Sequence, residues 1–579
     1  MRNLKPIFCA LLFAAGCVED STGSDESDVT AGWKEGTPES LAVVAVVNDR
    51  AVTFDTLKSE VGLSKTAATN VIAHRDGKDA VGRTPDDDLY DTITELDAVK
   101  QVGPAALDAL LDYAEENGYL ADILAKKREV IFSPQPAAQS HNARVAQVIN
   151  SAQYSVDVAM YSFSDGGIGT ALADAVKRGV KVRFLFDTAS QDKKLTGTAL
   201  TNSKSGQLEK KGVDVRYVNK IQHHKFMIVD GPRDDAERAQ TAWIASGSAN
   251  WSTSAATKYD ENTLFMYGEA KLALELQREF NLLWEHSRDF VSGVTFPFEL
   301  STLSITPEIV PENPGVSVFL TSANFTVKAD TFTTTGSNAV ADVLVKAILD
   351  AKKSIHIASG HLRSRPVAEA IKAKKAQSPN LDIRVYLDGQ EYISKSGNTS
   401  QVKDLDSCLA TAGTNESKKR DCLDKGFLFG YDVSLTGVDV RYKYYAYRWD
   451  AGYAKQMHNK VMIVDGTDLY TGSYNLSDNA EHNTFENMLR FRGPEFRDMV
   501  KSYEERFEVL WVTGQAEGFL ANLENQVKTA ETIPLVFEPM SLDWNQVTNL
   551  KALIRQNCPD VDSTLYRTDP VGHQTCPRP

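Results

Sequence analysis

The sequence predicts a water-soluble α/β protein in which two similar α/β lobes follow a small all-α module. Three observations carry that prediction. From Val130 onward, short apolar strands alternate with amphipathic helices, the pattern of α/β layers built on a largely parallel sheet. The order of elements then repeats, down to an identical "GVDVRY" at Gly212 and at Gly437. Finally, at 579 residues the chain exceeds the roughly 250 to 300 that one core holds, so several folded parts are required.

Taken in order, "MRNLKPIFCALLFAAGC" has a basic start (Arg2, Lys5), an apolar stretch from Ile7 to Ala15 and small residues before Cys17. It is too short to span a bilayer. Its end resembles a bacterial lipoprotein cleavage box, with Ala14 in place of the usual Leu. Residues 1–17 are therefore expected to be a signal peptide with Cys17 acylated, and a plain secretory signal is the alternative. The expected location is extracytoplasmic, lipid-anchored in a bacterial envelope or secreted. Residues 18–41, acidic and rich in Ser, Gly and Thr, carry too little apolar surface to fold and are expected to be a disordered linker.

Residues 42–127 contain two helix-turn-helix halves, with turns at Val61-Gly62-Leu63 and Val102-Gly103-Pro104. They resemble paired helix-hairpin-helix motifs, which in many proteins grip DNA phosphate at a helix N-terminus. Here the turns lack the full Gly-hydrophobic-Gly pattern and acidic residues outnumber basic ones, which favours an adaptor or protein-contact role. Between the halves Asp76, Asp79, Asp86, Asp87, Asp88 and Asp91 form an acidic loop without EF-hand spacing, either solvated or holding calcium.

Residues 128–300 read as the first lobe. Its strands are "VIFS", "SVDVAMYSF", "VKVRFLFD" and "VDVRYV", with helices near Asn142 to Ala152, near Ile168 to Arg178, and one ending at Lys211. Residues 301–535 repeat the order with "VSVFLTS", "SIHIASG" and "LDIRVYLDG", and with helices near Asn338 to Ala351 and Pro366 to Lys375. Residues 536–579 are left as a C-terminal tail.

Each lobe then carries the same string of polar residues. The first has "HHKFMIVDG", with His223, Lys225 and Asp230, then "SGSANWS" with Ser248 and Asn250, then Glu261. The second has "MHNKVMIVDG", with His458, Lys460 and Asp465, then "TGSYNLS" with Ser473 and Asn475, then Glu486. Apolar runs recur by chance in core strands, but His, Lys and Asp at one set of offsets, followed by Ser, Asn and Glu at another, do not readily recur in two copies. A strand alternates faces, so His223 and Lys225 point together, as do His458 and Lys460. Lysine, serine and asparagine supply donors for phosphoryl oxygens, and a neutral histidine attacks phosphorus or moves a proton near neutral pH. A carboxylate on its other ring nitrogen fixes the tautomer, a role that suits Glu261 and Glu486. A covalent displacement needs two histidines, and two copies facing each other across a pseudo-twofold axis provide them.

Both strings resemble the HKD motif of the phospholipase D superfamily, over about Val130 to Ala530. The resemblance implies that His223 or His458 forms a phosphohistidine while the other protonates the leaving alcohol and then activates water, with His223 favoured as nucleophile. It implies that Lys225, Lys460, Asn250 and Asn475 bind phosphate oxygens, with Ser248 and Ser473 in the same shell. Asp230 and Asp465 would be structural partners within the motif, and His224 would point away. No metal or other cofactor is expected, and both half-sites in one chain imply a monomer.

The superfamily spans phospholipases, phospholipid synthases and nucleases, so the motif indicates the reaction and leaves the substrate open. A phospholipase D-type hydrolase of glycerophospholipids, in peripheral membrane contact through its lipid anchor, is the leading expectation. An extracytoplasmic endonuclease, a phosphatidyltransferase similar to cardiolipin synthase, and a non-catalytic envelope binding protein are the alternatives. A formal charge of −15 disfavours loose nucleic-acid binding. The stretch "RYKYYAYRWDAGYAKQMH" is rich in aromatics that would hold a quaternary ammonium headgroup, stack bases of a single strand, or pack between the lobes. Four further cysteines allow three connectivities, of which the local pairs Cys408 with Cys422 and Cys558 with Cys576 close the shortest loops. Free thiols are the alternative.

Overall fold

The computed structural model describes residues 33–291, 303–450, 452–530, 532–557 and 575–577. The expected signal segment, Cys17 and Cys558 lie outside them. Among the described residues no helix is long and apolar enough to cross a membrane.

The helical module starts earlier than its expected boundary at residue 42. Thr37 accepts the N–H of Ser40 and Pro38 occupies the first turn, so the helix Pro38–Asn48 takes up the end of the expected linker. Its Val43, Val46 and Val47 pack with Leu57, Val71, Leu96, Leu107 and Leu110 into one small core. The two expected halves are present as Phe54–Ser59 with Lys65–Arg75, and Ile93–Asp97 with Pro104–Glu116. Gly62 turns the first at φ +83, a left-handed conformation that favours glycine. In the acidic loop, Asp76 and Asp87 are both bound by Arg50, and Asp86 accepts the backbone N–H of Lys78 and of Asp79. Arg50 also reaches Glu312 at 3.0 Å, and Arg83 donates to the carbonyls of Pro307 and Glu308, which fastens the module to the lobes.

Each lobe holds an eight-stranded sheet. The expectation of a largely parallel sheet is corrected: only Ser155–Met160, Lys181–Phe186 and Asp214–Tyr217 run parallel in the first lobe, and the other neighbours are antiparallel. Helices cross over between the parallel strands, as such connections require. The strands Lys225–Val229, Trp243–Gly247 and Glu261–Tyr267 follow one another without a helical crossover and therefore reverse direction. The helix expected to end at Lys211 is three short ones, Ala189–Asp192, Gly197–Asn202 and Lys204–Glu209.

The second sheet has the same order with one substitution, which corrects the reading of residues 536–579 as a tail. In the first lobe the outer edge is covered by the two-residue strand Arg288–Asp289. Here the eight-residue strand Val536–Asp543 pairs with Asp439–Ala446 and closes that edge. The helix Trp544–Asn557 follows, and its Val547, Leu550 and Ile554 join the core of the second lobe. Between the second and third parallel strands the lobe also inserts Lys395–Ala412 and Glu416–Leu423, tied by the expected disulfide Cys408–Cys422.

The outer face of the first sheet is covered by His141–Ser151 and Gly166–Lys177, that of the second by Ala341–Asp350 and Arg365–Gln377. The inner faces share one core. Phe226, Ile244 and Leu264 of the first sheet meet Val461, Leu469 and Leu489 of the second, together with Phe280, Trp284, Phe507 and Trp511 from the helices Ala270–Glu285 and Arg497–Trp511. Burial of each large side chain contributes about 1.5 to 3 kcal/mol, so this shared core fixes the lobes to each other.

Candidate active site

The motif strands Lys225–Val229 and Lys460–Val464 are buried at every residue, a rigid support for the polar groups at their N-terminal ends. Lys225 Nζ donates to the carbonyl of His223 at 2.7 Å, and Lys460 Nζ to that of His458 at 2.6 Å. Each lysine thus lies beside its own histidine, as strand alternation requires. His224 faces elsewhere: its Nδ1 accepts from Asn487 Nδ2 at 3.1 Å and its Nε2 lies 3.0 Å from Glu279 Oε1.

The two copies meet by exchange. His223 Nδ1 lies 2.7 Å from Oε1 of Glu486, and His458 Nδ1 lies 2.8 Å from Oε1 of Glu261. Each histidine is oriented by the carboxylate of the other lobe. Backbone pairing builds this crossing, because Ile221–Gln222 runs parallel to Thr484–Phe485 and the N–H of His223 donates to the carbonyl of Phe485 at 3.0 Å. On the other side the N–H of His458 donates to the carbonyl of Asp260 at 3.0 Å. Asn262 and Asn459, joined at 2.9 Å, mirror the contact of Asn487 with His224.

Burial sets the electrostatics. Glu261 and Glu486, 0% and 1% exposed, are pushed up to about 7 by desolvation, against the pull of the nearby lysines. Desolvation draws Lys225 down to about 7 and Lys460 to about 8, and it draws both histidines well below their usual value. Neutral imidazoles with Nδ1 held by a carboxylate present Nε2 as a nucleophile or base. A phosphodiester anion entering between the lysines would restore their charge.

The remaining motif residues divide. Asp230 accepts the backbone N–H groups of Gln153, Tyr154 and Ser155, and Asp465 those of Lys352, Lys353 and Ser354. Both take positive φ, +51 and +58, at the far end of the motif strand, about 17 Å along it from the lysine. They pin the turn that starts the neighbouring strand and do not reach the histidines. Ser248 and Ser473 are fully buried and accept the backbone N–H of Asn262 and Asn487 at 2.9 and 3.0 Å. Their hydroxyls thus join the Gly-Ser turn to the strand that carries the glutamate. The carbonyl of Asn250 lies 3.0 Å from His141 Nε2, and the Oδ1 atoms of Asn250 and Asn475 are buried without partners among the described residues.

Sequence reasoning passed over a second symmetric pair. Asp187 accepts the N–H of Gln222 at 2.9 Å, and Asp388 that of Met457 at 2.7 Å, each just before a motif histidine. The signal was present as a terminal aspartate on the matching strands "RFLFD" and "RVYLD". Tyr161, also unflagged, lies edge-on to His223 with ring centroids 4.6 Å apart and is 5.2 Å from Lys225 Nζ. Of the three readings of the aromatic stretch, packing describes most of it. Tyr442, Tyr444, Tyr445 and Tyr447 are buried, Tyr447 taking a hydrogen bond from Arg555 of the final helix, while of the remaining aromatics Tyr453 is half-buried and Trp449 exposed.

A family profile described as "Cardiolipin synthase, PLD-like domain" matches residues 145–284 and 344–511, more than half of the chain and both motif copies. The chain belongs to the phospholipase D superfamily. Among its phospholipase D relatives, the mitochondrial cardiolipin hydrolase of Canis lupus familiaris is 30% identical over 176 residues, covering 30% of this chain and 62% of the relative. A phospholipase D of Rickettsia felis is 28% identical over 149 residues, 25% of this chain and 64% of its own. The match thus spans about three fifths of these relatives' length. The crystal structure of Nuc from Salmonella typhimurium, a phospholipase D family member, is 29% identical and covers 29% of this chain and 99% of its own. Its TM-score is 0.24, too low to bear on the fold.

Proposed function

We propose that the chain hydrolyses glycerophospholipids through a phosphohistidine intermediate. The observation that supports this reading is the crossed exchange of carboxylates, which puts two carboxyl-oriented imidazoles and two buried lysines in one site. In this reading Nε2 of neutral His223 attacks phosphorus, while His458 enters the step protonated, its charge paired with the Glu261 carboxylate, and gives its Nε2 proton to the leaving oxygen as the bond from that oxygen to phosphorus breaks. His458 then takes a proton from water, whose oxygen attacks phosphorus and releases His223. Lys225, Lys460, Asn250 and Asn475 hold the non-bridging oxygens as charge moves between them. Relatives named cardiolipin hydrolase and phospholipase D favour a phospholipid. Acylation of Cys17 and residence at a bacterial envelope belong to the same proposal.

The test is to supply the purified chain, with chelator present, with phospholipid vesicles and separately with single- and double-stranded DNA. Phosphatidic acid released from vesicles, lost in His223→Ala, is the expected result. Cleavage of DNA with intact lipid would overturn the lipid reading and keep the phosphodiesterase.

A further inference from the structure

The two half-sites are not alike beside their histidines. Tyr161 N–H donates to the carbonyl of His224 at 3.1 Å, just as Gly360 N–H donates to that of Asn459 at 3.1 Å, so Tyr161 corresponds to Gly360 and Ser162 to His361. In the first half the Tyr161 ring covers His223. In the second, glycine puts no ring over His458, and a Cβ on Gly360 would stand 3.0 Å from the carbonyl oxygen of Met457 and 4.0 Å from Cδ2 of His458.

His361, the next residue, is a third imidazole anchored by a carboxylate. Its Nδ1 lies 2.9 Å from Oε1 of Glu391, which is wholly buried and also takes Arg363 at 2.9 and 2.6 Å, while its Oε2 receives the N–H of Leu362 at 3.3 Å. Against desolvation, the His361 hydrogen bond and then the Arg363 charge hold the Glu391 carboxyl below its usual value, so Nδ1 of His361 is the donor and Nε2 is turned away from the anchor. The His361 side chain is 22% exposed, so the imidazole is not sealed in the core. The first lobe has only a serine at this position.

Building on the proposed reaction, we propose that His361 binds the departing alcohol, and that this alcohol carries a free hydroxyl, as a glycerol headgroup does. Nε2 of His361 supplies the hydrogen-bond partner beside the histidine from which the leaving oxygen takes its proton. A trimethylammonium headgroup fits poorly there, since Arg363 is cationic and both oxygens of Glu391 are already engaged.

The test compares two esters of phosphatidic acid that need the same protonation on departure: phosphatidylglycerol, with free hydroxyls, and phosphatidylethanol, without. His361→Ala is expected to lower kcat/KM on phosphatidylglycerol vesicles about tenfold or more and to leave phosphatidylethanol within about twofold, with partial rescue by His361→Gln. Retained turnover of phosphatidylethanol also shows that the variant is folded. An equal loss on both esters would make His361 a proton-transfer or structural group and overturn the proposal, as would no loss on either. If the wild-type chain cleaves neither lipid, it is the phospholipid reading that fails. The same comparison, made with a thymidine dinucleotide against the ethyl ester of thymidine phosphate, then decides the role of His361.

Discussion

Nδ1 of His223 in the first lobe lies 2.7 Å from Oε1 of Glu486 in the second, and the pair His458 with Glu261 reciprocates at 2.8 Å. Groups shared in this way act as one unit. His223→Ala and His458→Ala are each expected to remove nearly all turnover, and the double variant to be scarcely worse. Glu486→Gln, which holds the wrong tautomer, should cost about 10³- to 10⁴-fold in kcat. A single histidine variant that keeps half its rate in steady-state assays would mean that each lobe works alone.

The covalent step can be trapped. Given a phosphodiester whose leaving group needs no protonation, His458→Asn should accumulate a phosphoryl adduct on His223, seen by intact mass and lost in mild acid. His223→Asn should accumulate none. An adduct on His458 would reverse the two roles.

The lysines predict the alkaline limb of activity. Their pKa values in the fold, about 7 for Lys225 and about 8 for Lys460, lie below the ordinary 10.5. Each is charged below its lowered value and loses its proton as pH rises through it. Phosphate binding should therefore weaken with rising pH, and kcat/KM should fall with a midpoint between about 7 and 8. Lys225→Arg, which stays charged at the position that titrates first, should move that limb upward. A flat profile from pH 7 to 9.5 would contradict this account.

Asp230 is expected to behave as a structural residue. Its carboxylate satisfies three consecutive N–H groups, so Asp230→Ala should destabilise by about 2 to 3 kcal/mol in chemical denaturation. The fraction that remains folded should keep its turnover. A stable but inactive Asp230→Ala would place the residue in the chemistry instead.

Cys408 and Cys422 close a loop with a separation of 14 residues, a constraint of about 3 kcal/mol on the unfolded segment. Cys408→Ser should raise amide exchange in the inserted helices Lys395–Ala412 and Glu416–Leu423 and leave turnover unchanged. Loss of activity with unaltered exchange would tie the insert to the site.

Both lobes and most of the site were legible because the chemistry needs particular side chains at fixed offsets along a buried strand. What stayed hidden depends on partners distant in sequence. Glu486 was visible as an orienting carboxylate, but its assignment to His223 comes from the pairing of Thr484–Phe485 with Ile221–Gln222, which no local pattern records. Strand direction was misread because alternation looks the same either way, and the connection decides it. Val536–Asp543 reads as tail because Pro539 and scattered apolar residues give a weak strand signal, and the open edge it covers exists only in the folded sheet. Composition left the aromatic stretch open between ligand contact and packing, and the burial of Tyr444 and Tyr447 decides for packing there.

The crossed carboxylates also bear on biogenesis. His223 and Lys225 leave the ribosome early, but the glutamate that orients His223 is not made until residue 486, after the whole of the first lobe. An unfinished or proteolytically halved chain therefore carries a complete HKD string and no working dyad. On the proposed mechanism, turnover would begin only once the second lobe has docked on the first.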